Sequence, residues 1–134
     1  MSFDIFMNPY LNGKPAPFDR SLIREAFGAE ACSGADEIWN ISYPDQSGGQ
    51  VYGADEETVE SLMFNHCGGD RFYEGLLRLA ERTNSIIFWP TPESMAVVTS
   101  EKVRTHIDPE MLAAFSRVEV VNGIDDLGRY LSES

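Results

Sequence analysis

His66 and Cys67 stand side by side, followed by Gly68-Gly69 and by a helix signal that opens at Asp70. A thiol near a helix N-terminus and beside an imidazole can ionise at a lower pH and become nucleophilic. Neighbours on an extended chain point to opposite faces, however, which works against a Cys–His hydrogen bond. Free cysteine is also among the most buried residue types. A packed thiol is therefore the better reading of Cys67. The rival reading is a small enzyme or ligand-binding domain with a pocket near His66 and Cys67.

Other chemistry is excluded on spacing. A metal site needs three or four ligands, usually with two close together in sequence. Cys32, His66, Cys67 and His106 contain no C-x-x-C and no H-x-x-x-H. The run Asp55-Glu56-Glu57 lacks the alternating ligands and central glycine of a calcium loop. Gly48-Gly49-Gln50 coincides with the tripeptide by which class I release factors trigger peptidyl-tRNA hydrolysis. Such proteins contact ribosomal RNA, and no Lys or Arg lies near this segment. A hairpin turn is the simpler reading. With no G-x-S-x-G, P-loop or dinucleotide fingerprint present, no cofactor and no metal are expected, and an enzyme is the less favoured class.

Charge placement carries more information. The chain has 10 Lys+Arg against 22 Asp+Glu, a net charge of −12. Between Arg24 and Arg71 there are ten acids and no bases, so −10 of the −12 resides in residues 25–70. This balance repels phosphate backbones and anionic bilayers, which argues against nucleic-acid and membrane-surface binding. One reading is a solvated face that aids solubility. The sharper reading is a docking surface for a basic protein, with acids Asp36, Glu37, Asp45, Asp55, Glu56, Glu57 and Glu60 steering the partner. Trp39, Tyr43 and Tyr52 would then serve as aromatic anchors.

The elements that must position these residues follow from periodicity. Residues 2–8 alternate as a first strand, with Phe3, Ile5 and Met7 on one face, and Asn12-Gly13 is a turn signal. Asp19 is suited to cap a short helix over residues 20–27, which Gly28 ends. Residues 37–43 and 50–53 form a meander around Pro44–Gly49, with Trp39, Ile41 and Tyr43 on one face. Residues 57–65 fit either a helix or a strand; the glycines that follow favour strand. Residues 71–82 are an amphipathic helix that Asp70 is expected to cap. Residues 86–89 and 95–99 are short strands, 100–107 a helix, and Asp108-Pro109 restarts a helix with a cap-then-proline signature. A strand over 117–121 and a helix over 124–131 close the sequence.

These elements predict one α+β domain over residues 1–134. Its core is a single mixed, largely antiparallel sheet of about six or seven strands, with helices mainly on one face. A chain of 134 residues with 43% hydrophobic content can build such a core without staples. Asp4, Asn8 and Pro9 interrupt any apolar leader in the first ten residues, and two isolated cysteines suit a reducing compartment. A cytoplasmic location is expected, and the oligomeric state stays open.

Three segments together carry a resemblance: Ser2-Phe3-Asp4-Ile5-Phe6 followed by Pro15-Ala16-Pro17-Phe18, then Phe64-Asn65 before Gly68-Gly69, then Ile86-Ile87-Phe88-Trp89-Pro90. Their arrangement resembles a group of small uncharacterised bacterial proteins and implies a bacterial origin but no activity. Size, acidity and build are also similar to those of toxin-neutralising immunity proteins, in general type. The sequence thus predicts a non-enzymatic, cytosolic protein-binding module of immunity or inhibitor type.

Overall fold

The computed structural model describes residues 4–34 and 38–132. Ser2 and Phe3, the expected start of the first strand, lie outside the described residues. Strand β1 (Ile5–Leu11) turns back through Asn12 and Gly13 into β2 (Lys14–Pro15). Both turn residues are left-handed, with φ of 52° and 82°, as a two-residue hairpin of this twist requires. A short β3 (Phe18–Asp19) leads into α1 (Ser21–Phe27), where the Asp19 carboxylate accepts the Ser21 N–H at 2.8 Å. The meander follows as β4 (Cys32–Ser33), β5 (Ile38–Ser42) and β6 (Gly48–Tyr52). Then come β7 (Thr58–Val59) and β8 (Leu62–Gly68), so the ambiguous region around 57–65 is extended.

Helix α2 (Asp70–Thr83) buries Phe72, Leu76, Leu79 and Ala80 on one side, matching its apolar stripe. It ends at left-handed Asn84, whose N–H donates to the Ala80 carbonyl. Its start differs from expectation. Asp70 is the first helical residue, and the cap position is Gly69, with no side-chain cap bond. Next are β9 (Ser85–Phe88), β10 (Met95–Val98), α3 (Glu101–Arg104), α4 (Pro109–Ala113), β11 (Arg117–Val120) and α5 (Ile124–Ser132). Asp108 caps α4 as its sequence suggests, accepting the Glu110 N–H at 2.9 Å.

The main sheet runs β11-β10-β9-β1-β8-β6-β5-β4, with β2 attached to β1, and β3 pairs separately with β7. Seven of its strands have four or more residues; β2 and β4 have two each, which takes the count past six or seven. Every pairing in it is antiparallel except β10–β11, which α3 and α4 connect. The first strand therefore lies at the centre, with Ile5 opposite Phe64 and Met7 opposite Ile87.

Helices divide between the two faces unequally. Residues of α1, α2 and α5 join Ile5, Met7, Trp39, Ile41, Val51 and Phe64 in the larger core. A smaller core lies on the other side of β9 and β10, where Ile86, Ala96 and Val98 meet Val103, Ile107 and flanking Met111 and Leu112. That is why β10 is buried at all four positions, as a strand covered on both faces must be. Among the described residues, helices cover the second face only at this end.

Candidate functional site

The connection from β6 to β8 presents Asp55, Glu56, Glu57 and Glu60, all exposed. Its backbone is held on both sides. Thr58 and Val59 pair with Asp19 and Phe18, the Arg20 N–H donates to the Glu57 carbonyl at 2.9 Å, and Arg20 Nη1 donates to the Asp55 carbonyl at 3.2 Å. Ala54 and Val59 are fully buried and anchor the segment to the larger core. The carboxylates thus stay in water on a pinned backbone. Among the described residues none of the four takes part in an ion pair; the acids that do are Glu25, Glu93, Glu101, Glu119 and Asp126. Arg20 and Arg24 border the segment through a cleft of about 330 Å³ that also includes Trp39 and Glu57.

The expected acidic surface is only partly assembled. Asp36 and Glu37 lie outside the described residues. Asp45 sits in the β5–β6 turn, whereas Tyr52 opposite Ile38 marks the other end of that hairpin, where residues 53–61 begin. Five strand positions separate the two ends, about 16 Å at the usual rise. Asp45 therefore does not join Asp55, Glu56, Glu57 and Glu60. It shapes its own turn: its carboxylate accepts the Ser47 N–H at 2.9 Å, which holds its pKa below the ordinary carboxylate value.

Two of the three proposed aromatic anchors turn inward. Trp39 is 2% exposed, within the larger core, with the Arg24 guanidinium 4.8 Å from its ring centroid. Tyr43 is half-buried and its hydroxyl donates to the Phe27 carbonyl at 2.5 Å, with Arg71 stacked 4.6 Å from its ring. Burial is the main cause of its raised phenol pKa. Tyr52 alone lies on the outward side of the sheet, because its neighbour Val51 fills the core. The alternation contained this answer: Trp39 shares its face with Ile41, and that apolar face had to go inside.

His66 and Cys67 are placed by an irregularity. Gln50 pairs with Asn65 and Gly48 with Gly68, so β8 advances three residues while β6 advances two. The extra residue is a β-bulge, and His66 takes the left-handed φ of 51° that accommodates it. His66 ends exposed, whereas Cys67 is half-buried against Gly49, and no hydrogen bond joins the pair among the described residues. Both line an open hollow of about 640 Å³ with Asn40, Gln46 and Gln50. Burial pushes the Cys67 thiol up to about 11, the opposite of nucleophilic activation.

A shift from 9 to about 11 leaves roughly 100-fold less thiolate at neutral pH. Iodoacetamide should accordingly label Cys67 in the folded chain at least about 100-fold more slowly than in the urea-unfolded chain. Labelling that is fast, and well ahead of Cys32, would restore the enzyme reading. The same shift has a stability consequence. Near pH 9 the unfolded thiol ionises while the folded one keeps its proton, so stability is lost as pH rises from about 9 towards 11.

The two cysteines also cannot bridge. Cys32 pairs with Ile41, Ile41 with Gly49, and Cys67 lies beside Gly49, so three strand spacings of about 4.8 Å separate them. A disulfide needs Cα atoms within about 7 Å. No group of three or more His, Cys, Asp or Glu able to hold a metal ion occurs among the described residues, and no helix there is long and apolar enough to cross a membrane. No protein-family model, curated protein or solved structure matches the chain.

Proposed function

We propose that this chain is a non-enzymatic protein-binding domain of bacterial immunity or inhibitor type, which engages a basic partner through residues 53–61. One observation carries the reading. Four exposed carboxylates, unneutralised by any ion pair among the described residues, are displayed on a connection whose backbone is fixed by β3–β7 pairing and by Arg20. A flexible acidic loop would serve solubility equally well. A rigid one holds its repulsion in place, and a partner's cations relieve that repulsion on binding. The high pKa of the Cys67 thiol weighs against nucleophilic catalysis as the alternative. A reducing, cytoplasmic setting suits two thiols held three strands apart.

The test is affinity capture from lysate at low and high salt, with the native chain and with the double variant Glu56→Lys/Glu57→Lys. Capture of a basic protein is expected at low ionic strength and should weaken as the screening length falls below about 8 Å. The double reversal should slow association with that protein by about tenfold or more, with the thermal transition unchanged. If the variant captures the same protein at the same rate and with the same salt dependence, residues 53–61 serve only solubility.

A further inference from the structure

On the face away from α1, α2 and α5, one row of side chains crosses five strands. Phe88 lies opposite Phe6, Phe6 opposite Met63, Met63 opposite Tyr52, and Tyr52 opposite Ile38. At one end the row is roofed: Phe88 packs on Phe115, 5.3 Å between centroids, beside the small core under α3 and α4. From Phe6 onward no helix among the described residues packs over it. Phe6, Met63 and Tyr52 are half-buried, and Ile38, at 40%, is with Leu11 one of the two exposed large hydrophobic side chains among the described residues. Beside the apolar row runs a polar one, in which Asn65 donates to Asp4 at 2.8 Å and faces Gln50, which in turn faces Asn40.

We propose that the Phe6–Met63–Tyr52–Ile38 row seats an amphipathic, basic helix of the partner protein, a reading that rests on the basic-partner function above. A helix is specified because the same face already seats α3 and α4 over its β9–β10 end, and a sheet face, unlike an edge, offers no backbone bonds to a strand. From Phe6 to Ile38 is three strand spacings, about 14 Å, which about nine or ten helical residues span. The partner is basic because β1, β5, β6 and β8 contain no Lys or Arg, and the acidic connection 53–61 leaves β6 directly after Tyr52 and returns one residue before Met63, bordering the row between them. A second copy carries the same −12 and is repelled.

The experiment is selection from an unbiased displayed library of helical 14-residue peptides against the full chain. Enriched peptides should carry apolar residues at i, i+3 or i+4 and i+7 with a net positive charge, and Ile38→Lys or Tyr52→Lys should weaken them about tenfold or more. Ile38 is exposed, so its variant keeps the fold, which a thermal melt verifies. Basic peptides without helical periodicity, lost on Glu56→Lys/Glu57→Lys but not on Ile38→Lys, overturn the seat and leave the basic-partner function standing. Enriched peptides that are neutral or acidic overturn both, and an absence of enrichment overturns the seat. Sedimentation of the chain alone should show a monomer; a dimer dissolved by Ile38→Lys assigns the row to a second copy instead.

Discussion

Replacing Phe72 with Ala is expected to cost about 3–5 kcal/mol, measured as a shift of the urea midpoint at constant slope. The ring is fully buried at the first turn of α2 and meets three others: Phe27 of α1 at 5.4 Å, Phe64 of β8 at 5.6 Å and Tyr73 at 5.8 Å between centroids. Its edge also fills the space that a side chain at position 49 would occupy. Four elements thus share one ring, and none of them can move into the void without losing contacts elsewhere. Since domains of this kind are stable by about 5–15 kcal/mol in total, the loss is a large share. A measured cost below about 1 kcal/mol would mean that α2 does not seat its Phe72 side on this sheet.

Gly69→Ala should be comparably damaging, by about 2–6 kcal/mol, for two reasons that a control separates. Its φ of 95° and ψ of 150° belong to a region essentially reserved for glycine, worth about 1–3 kcal/mol of strain. A Cβ there would also stand 2.2 Å from the Ser47 hydroxyl and 2.7 Å from the Ser47 Cα, so the β5–β6 turn would have to move. Overpacking of this kind adds about 1–3 kcal/mol. Gly28 has nearly the same φ, 96°, but open space around it, so Gly28→Ala carries the strain alone. The difference between the two variants measures how firmly that turn is docked on the start of α2. Equal costs would show that the turn yields freely.

Much of the chain's local structure is legible in the sequence alone. The Phe72–Ala80 stripe, the Asn12-Gly13 turn, the Asn84 stop and the Asp108-Pro109 start rest on interactions within a few residues, and all are found where expected. Capping of α2 by Asp70 failed because Gly69 reaches a backbone conformation closed to Asp, which lets the helix begin one residue earlier. The candidate site was less legible. The acids of 53–61 and Tyr52 are visible as charge and type; Asp45 is grouped with them because both ends of a hairpin look equally near in sequence, whereas Trp39 and Tyr43 share the apolar face of Ile41 and turn inward.

What the sequence determined by itself is therefore the set of elements, their α+β class and the confinement of nearly all the net charge to residues 25–70. Tertiary structure alone decided the strand order, the β-bulge at His66 and the row from Phe6 to Ile38. Each depends on register between strands that are distant in the chain, Phe6 with Met63 above all, and a shift of one residue would have turned that row into the core. Alternation states that a strand has two faces. Which rows line up across five strands, and which end of them α3 and α4 cover, is settled only when the separate apolar faces compete for burial against one another.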